Sequence, residues 1–175
     1  IPFNWLAFGS EARGEQALLS DQDNAILFSA DSAEQAEIYR QQLLPLAQAI
    51  NQALDSCGLK LCQGNVMAGN PKLCLSLEEW QNRFNDIVAS PDPKHLLQAS
   101  VFFDIRLIWG DDLGFEAMLK NLLAKTQKNT RFLRQLAKAA LNYPTAPTQL
   151  RRWIAKTVGS TSEARLDLKR HALAP

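Results

Sequence analysis

Two carboxylates stand two residues apart in the segment SDQD over 20–23, a short distance after the pair Gly9 and Ser10. Glycine allows backbone N–H groups to approach a ligand closely, and a serine hydroxyl adds a donor that suits phosphate oxygens. Alternate residues of a strand point to one face, so Asp21 and Asp23 would project together. Paired carboxylates hold Mg²⁺ when substrate phosphates and waters complete its octahedron. The pattern therefore predicts a site for a phosphate-bearing ligand and magnesium.

A third carboxylate is needed if two such ions are to activate a hydroxyl and stabilise a leaving pyrophosphate. Asp104 is the candidate, because it lies in the apolar run VFFDIRLIW, where an isolated carboxylate would be costly to bury. The run predicts a strand over 101–109, with Asp104 and Arg106 on the same face. The alternative is a plain ion pair between Asp104 and Arg106 at the end of the strand.

Short strands must position these residues. The aromatic run that ends at Gly9, the segment that follows Asp21 and the run around Asp104 predict strands over 3–8, 22–28 and 101–109. A polar segment of about two helical turns separates the first two strands. Residues 59–68 alternate weakly and predict a third strand or an extended segment. We expect an α/β (α+β) fold, in which a small mixed β-sheet carries helices on one side.

Helical patterns occupy much of the remaining chain. One covers 33–56 and is interrupted by Pro45, which predicts a kink or two helices. Another begins at Ser76, which has the capping-box spacing to Glu79. From 115 onward the pattern is again helical, with a polar break at 127–129 and a predicted apolar stripe of Leu119, Leu122, Leu123, Phe132, Leu133 and Leu136. We expect an α/β unit over 1–126 and a helical C-terminal region over 127–175.

The composition excludes several classes of protein. The chain has 46% hydrophobic and 21% charged residues and a net charge of +1, so no overall field draws it to nucleic acid or to an acidic membrane. No basic groove or aromatic ladder is visible, which disfavours a nucleic-acid polymerase. No apolar run approaches the ~20 residues of a membrane-spanning helix.

The chain opens at Ile1 directly into an apolar run, and we expect it to be part of a longer protein.

The spacing of the three cysteines does not indicate a metal or redox site. Cys57, Cys62 and Cys74 form no C-x-x-C pair, and neither histidine is near two of them in sequence. We expect buried, reduced thiols of a cytosolic protein.

The pattern G-S followed by S-D-x-D resembles the signature of the DNA polymerase beta-like nucleotidyltransferase superfamily. The strings GSEARGEQALLSDQDNAILF, GNVMAGNPKLCLSLEEW and FFDIR are similar to one bacterial nucleotidyltransferase family within it. Members of that family are commonly joined to CBS-pair and cyclic-nucleotide-binding modules, and they resemble the catalytic domain of the PII-protein uridylyltransferases. The resemblance covers residues 3–110, and the string LDLKRHALAP is similar to the family's helical C-terminal region, which normally continues further.

The resemblance assigns expected roles to individual residues. It implies that Gly9 and Ser10 contact the nucleotide phosphates, that Asp21 and Asp23 are metal ligands, and that Asp104 is the third acidic residue.

Two basic residues are also implicated in nucleotide binding by the resemblance. Arg13 matches the arginine of the family's G-S-x-x-R pattern and would reach a phosphate, although it could equally pair with Glu11 or Glu15. Lys169 falls in a D-L-K string that follows the catalytic domain in the uridylyltransferases, and it would meet the triphosphate unless the tail is displaced in a truncated chain.

The activity implied by the resemblance is a magnesium-dependent transfer of a nucleoside monophosphate from a nucleoside triphosphate to a hydroxyl. Two Mg²⁺ ions are expected with the bound triphosphate. The acceptor would be a signalling or regulatory protein in the cytoplasm, and the full-length chain would carry CBS-pair or cyclic-nucleotide-binding modules. The alternative is a regulatory module that binds a nucleotide without turning it over.

Overall fold

The computed structural model describes residues 1–16 and 20–141, in which short strands and helices are interspersed. The strands are β1 (Phe3–Phe8), β2 (Asn24–Phe28), β3 (Cys74–Ser76) and β4 (Ile105–Trp109). The helices are α1 (Gly9–Ala12), α2 (Ala33–Ser56), α3 (Leu77–Ala89), α4 (Pro93–Phe102), α5 (Phe115–Lys128) and α6 (Thr130–Leu141), and a 3₁₀ turn covers Pro71–Leu73. The chain forms two compact units, Ile1–Phe132 and Leu133–Pro175. The expected division at residue 126 stays a prediction.

One four-stranded mixed sheet carries the fold, with the strand order β3-β2-β1-β4. The central strand β1 pairs antiparallel with β2 and with β4, while β2 and β3 are parallel. Because both neighbours run antiparallel to β1, the beginnings of β2 and β4 lie beside its end. The backbone N–H of Phe8 donates to the carbonyl of Asp23, and that of Gly9 to the carbonyl of Asp104, each at 2.9 Å. The predicted α+β class is confirmed, and the strands in the three predicted regions lie next to one another in the sheet.

Helices contact both faces of the sheet, whereas the sequence predicted them on one side. The cluster on one face joins the sheet to α2 and contains Trp5, Ile26, Phe28, Ala36, Leu43 and Ala47. On the opposite face, the ring of Phe8 lies 5.9 Å from that of Trp80 in α3 and 5.0 Å from that of Phe102 in α4. The indole of Trp80 also donates to the carbonyl of Ile26 at 3.0 Å, which fixes α3 to β2.

The strand predicted over 101–109 begins later than expected. Val101 and Phe102 complete α4, whose capping residue Asp92 accepts a hydrogen bond from the N–H of His95 at 2.9 Å. Asp104 therefore lies in the bend before β4 and not in the middle of a strand. A short apolar run fits either periodicity, and here the contacts of Phe102 with Phe8 and Trp80 favour the helix.

Three further boundaries differ from those predicted. The polar segment after β1 forms a single helical turn, and residues 17–19 lie outside the described part of the chain. Asp21 precedes β2 and forms an isolated parallel bridge with Lys60. Residues 59–68 were predicted to be a third strand or an extended segment, but beyond that bridge they turn at 63–64, and the third strand is β3. The helix α2 continues through Pro45 instead of dividing there.

The helical pattern from 115 onward is confirmed up to Leu141, where the described residues end. α5 packs against α3 and buries Phe115, Met118, Leu122 and Thr126. The side chain of Leu123, a predicted member of the stripe, is 60% exposed. The predicted break falls at Asn129, whose amide donates to the carbonyl of Val88 at 2.8 Å and whose Oδ1 accepts from the N–H of Phe132 at 2.9 Å.

Candidate metal and nucleotide site

The carboxylates of Asp21 and Asp23 meet at the beginning of β2, together with the thiol of Cys62. One ligand atom from each residue lies within 4.8 Å of the other two, and all three side chains are half-buried. The bridge between Asp21 and Lys60 holds the two segments side by side, which places Cys62 next to the carboxylates. The structure therefore brings together the two acids that the sequence paired, and it adds a sulfur that the sequence did not.

The environment of Cys62 differs from that of the other cysteines. Burial raises the pKa of its thiol, and so does Asp23, whose carboxylate accepts a hydrogen bond from the thiol, although backbone N–H groups of the loop act in the opposite direction. Cys74 is buried, and burial raises its pKa to about 12. Cys57 is exposed. The expectation of buried thiols is thus correct only for Cys74.

Gly9 stands between the two acidic strand ends. Its φ of +55° is in the left-handed region that favours glycine. A β-carbon at this position would lie 3.9 Å from Oδ2 of Asp23, so the missing side chain leaves space directly beside the carboxylate. The N–H of Gly9 holds the carbonyl of Asp104, and Ser10 follows in α1. The contact of Gly9 and Ser10 with phosphates stays a prediction.

Asp104 lies on the other side of Gly9 and forms an ion pair with Arg13. The guanidinium of Arg13 also donates to Glu15 at 2.8 Å, so the alternative pairing of this arginine is present as well. Arg106 instead donates to the carbonyl oxygen of Glu11 at 2.8 Å, in place of the ion pair with Asp104 that the sequence offered as the alternative. Within residues 1–16 and 20–141, the group of converging metal-ligand atoms does not include Asp104.

Glu11 adds a further carboxylate that the sequence analysis had considered only as a partner of Arg13. Its pKa is raised, first by burial and then by the charge of Asp23, while Arg106 and the backbone N–H of Asp23 act in the opposite direction. Glu11 therefore lies within electrostatic reach of the candidate metal ligands. Its position directly after Gly9 and Ser10 was the sequence signal that could have identified it.

A buried network of side-chain amides holds in place the backbone that carries Asp21 and Asp23. The amide nitrogen of Asn51, in α2, donates to Gln22 Oε1 at 2.8 Å and to Asn24 Oδ1 at 2.9 Å. Asn24 Oδ1 also accepts from the N–H of Ala68 at 2.8 Å, and Asn51 Oδ1 accepts from the N–H of Gly69 at 2.9 Å. The residues on either side of Asp23 are thus fixed to α2 and to the following loop.

The donor set at the strand end fits a divalent cation that also binds substrate phosphates. Asp21 and Asp23 supply two half-buried carboxylates, and the space beside Gly9 is open to a third partner. Mg²⁺ usually takes one or two protein carboxylates and completes its shell with phosphate and water oxygens. The thiol of Cys62 is not a ligand that magnesium prefers, because magnesium selects oxygen ligands.

Two other expectations concern the remainder of the chain. Lys169 lies outside the described residues, so its contact with the triphosphate stays a prediction. Among the described helices, none is both long enough and apolar enough to cross a membrane.

A comparison with protein families agrees with this geometry. The family model described as "Putative nucleotidyltransferase DUF294" matches residues 1–94, which is more than half of the chain. The matched segment contains Gly9, Asp21, Asp23 and Cys62 and ends before Asp104. No curated protein and no solved structure matches the chain significantly.

Proposed function

Because this chain belongs to the family described as "Putative nucleotidyltransferase DUF294", we propose that it transfers a nucleoside monophosphate from a triphosphate to a hydroxyl acceptor, with Mg²⁺ as the cofactor. The observation that carries this proposal is the convergence of Asp21 and Asp23 beside the open space at Gly9. Two half-buried carboxylates repel each other in the absence of a cation, so the arrangement favours binding of a cation together with phosphate oxygens.

Each residue of the site has a defined task in this reaction. Magnesium ions, when bound, would neutralise the charge of the triphosphate and lower the pKa of the attacking hydroxyl. Asp21 and Asp23 hold the cations, and their common strand end fixes the separation of the two carboxylates. Gly9 leaves room for the phosphates to approach Asp23, and Ser10 supplies a hydroxyl donor. The acceptor oxygen then bonds to the α-phosphorus, the bond from that phosphorus to the departing pyrophosphate breaks in line, and the hydroxyl proton passes to solvent.

Asp104 serves the ion on the acceptor side in this proposal. In the structure its carboxylate is neutralised by Arg13, which itself is expected to reach a phosphate. The two expectations are compatible, because an incoming triphosphate offers Arg13 an anionic partner and an incoming cation offers one to Asp104. We therefore expect the pair of Arg13 and Asp104 to separate when the nucleotide and its cations bind.

The finer parts of the proposal rest on the sequence resemblance. The acceptor is a hydroxyl on a signalling or regulatory protein, as the likeness to the PII-protein uridylyltransferases implies. The full-length protein carries CBS-pair or cyclic-nucleotide-binding modules and works in the cytoplasm. Lys169 completes the triphosphate site from the C-terminal region.

The direct test is release of pyrophosphate from labelled triphosphates in the presence of Mg²⁺. Asp21→Asn and Asp23→Asn keep the side-chain shape but remove a charge, and each should lower turnover by at least about 100-fold, which corresponds to ~2.7 kcal/mol. Asp31→Asn is the matched control, because Asp31 follows the opposite end of β2 and should leave turnover unchanged. Where the acceptor is missing, slow hydrolysis of the triphosphate replaces transfer as the readout. Turnover by Asp23→Asn at the rate of the parent would rule out the proposed mechanism.

One observation favours the alternative of a nucleotide sensor without turnover. Asp104 is paired with Arg13 and stands apart from the converging ligand atoms, so the ion on the acceptor side lacks a preformed carboxylate. A sensor would bind Mg²⁺ and triphosphate and release no pyrophosphate with any acceptor. Pyrophosphate release by the parent protein separates the two functions, and in an enzyme Asp104→Asn should reduce turnover much more than triphosphate binding.

A further inference from the structure

The thiol of Cys62 is the unexpected member of the site, because neither phosphate binding nor magnesium binding needs a sulfur ligand. Its Sγ and one carboxylate oxygen each from Asp21 and Asp23 lie within 4.8 Å of one another. The three residues come from two segments that the bridge between Asp21 and Lys60 holds together. The position of the sulfur beside the two carboxylates is therefore fixed by the backbone.

This donor set fits a cation that accepts both thiolate and carboxylate ligands. With Zn–S of ~2.3 Å and Zn–O of ~2.1 Å, neighbouring ligand atoms of a tetrahedral zinc ion are separated by about 3.6 Å. The ligand atoms of Asp21, Asp23 and Cys62 all lie within 4.8 Å of one another, which is close to that separation. Three protein ligands leave the fourth position for water or a phosphate oxygen.

We propose that Asp21, Asp23 and Cys62 form a binding site for zinc, or another thiophilic divalent cation, that excludes magnesium from the same two carboxylates. When the ion binds, a metal–sulfur bond forms and the thiol proton passes to solvent. Zinc then occupies the ligands on which magnesium depends, and nucleotidyl transfer becomes sensitive to zinc. This last consequence rests on the proposed function, whereas zinc binding itself does not.

Binding is measured with Cd²⁺, whose bond to a thiolate gives an ultraviolet charge-transfer band. The experiment uses the full chain with Cys57→Ser, because Cys57 is exposed and could bind cadmium on its own. The buried Cys74, with a pKa of about 12, has little tendency to form a thiolate. We expect one equivalent of Cd²⁺ to produce the band, and we expect Cys62→Ser in the same background to abolish it.

Zinc affinity, measured by competition with a chromophoric chelator, gives the second readout. Cys62→Ser should weaken zinc binding by at least about tenfold, since a thiolate ligand is lost. Asp23→Asn should weaken it as well, and Asp31→Asn should not. Circular dichroism of each variant establishes that the change is not due to unfolding. Zinc affinity that is unchanged by Cys62→Ser, or a cadmium band that survives it, would overturn the proposal.

The two proposals fail in different ways. A parent protein that shows the Cys62-dependent band but releases no pyrophosphate retains the zinc site and loses the proposed enzymatic function. A parent that releases pyrophosphate with magnesium but shows no such band retains the enzyme and loses the zinc site. If both are present, zinc should inhibit pyrophosphate release at the concentration at which it fills the cadmium-sensitive site.

Discussion

The segment from Asp21 to Asn24 contains two opposite environments in four residues. The odd positions, Asp21 and Asp23, present half-buried carboxylates at the candidate site. The even positions, Gln22 and Asn24, are 1% exposed and are hydrogen-bonded to Asn51 and its surroundings. The charges are thus placed where they can bind a ligand, while neutral amides with satisfied hydrogen bonds anchor the same stretch of backbone.

The largest effect on the free energy of unfolding should come from the neutral amides, Gln22 and Asn24, and their partner Asn51. Asn51→Ala removes the donor shared by Gln22 and Asn24 and leaves the N–H of Gly69 without its acceptor. Buried polar groups without partners are costly, so we expect the free energy of unfolding to fall by about 2–4 kcal/mol in metal-free urea titrations. The neighbouring exposed Gln52 provides the control, and Gln52→Ala should change stability by less than ~0.5 kcal/mol. Equal effects of the two substitutions would mean that the amide network does not anchor the site.

Substitution of Gly9, beside the carboxylate of Asp23, should distinguish an effect of backbone strain on stability from an effect on turnover. Gly9→Ala places a β-carbon 3.9 Å from Asp23 Oδ2 in a backbone with a φ of +55°. We expect a loss of ~1 kcal/mol in stability from the left-handed conformation. Turnover should fall by at least about tenfold, because the β-carbon displaces an approaching phosphate.

Gly14→Ala is the matched control for this substitution. Gly14 has a φ of +70°, and a β-carbon there would meet nothing within 4 Å. Its strain should match that of Gly9→Ala while turnover is retained. Similar losses of turnover in both variants would show that strain alone is responsible and that the space beside Asp23 is not used by the substrate.

The smallest effect concerns a carboxylate that serves the fold and not the site. Burial alone would raise the pKa of Glu79, but the N–H of Ser76 and the guanidinium of Arg40 outweigh it and hold the pKa below its ordinary value of 4.5. A lowered pKa stabilises the folded state above pH 4.5, and this stabilisation is lost as the pH falls through the folded pKa.

Glu79→Gln tests this contribution, because glutamine retains the capping geometry but not the charge. The variant should be less stable than the parent by up to about 1 kcal/mol at pH 7, and the difference should shrink at about pH 3. Thermal unfolding at several pH values measures it. Glu78→Gln, at an exposed position in the same helical turn, is the control and should change the stability at pH 7 less than Glu79→Gln does. A difference of Glu79→Gln that is constant with pH would contradict the assignment.

The sequence predicted the parts of the fold that depend on local pattern. Strands β1 and β2, the capping box at Ser76 and the pairing of Asp21 with Asp23 all follow from residues close together in the chain. The start of β4 could not be predicted, because Val101 and Phe102 fit a helix as well as a strand until the packing against Phe8 and Trp80 is known.

The site was predicted less completely for the same reason. Cys62 reaches the carboxylates only because residue 60 bridges to residue 21, and Arg13 reaches Asp104 across 91 positions of the chain. Neither contact leaves a local trace in the sequence. The role of Asn51 could not be predicted either, because a buried amide in a polar helix pattern cannot be distinguished from an exposed one before the helix is placed on the sheet.

In the proposed function, Asp21 and Asp23 hold a divalent cation together with a nucleoside triphosphate. Titration with Mn²⁺, a paramagnetic ion that accepts the same oxygen ligands as magnesium, tests this binding in the presence of a non-hydrolysable triphosphate analogue. Electron paramagnetic resonance then measures the free ion, and no acceptor is required. We predict that the parent and Asp31→Asn bind Mn²⁺ in a nucleotide-dependent manner and that Asp23→Asn loses at least about 90% of this binding affinity, or ~1.4 kcal/mol. Nucleotide-dependent binding of equal strength in Asp23→Asn would contradict the account.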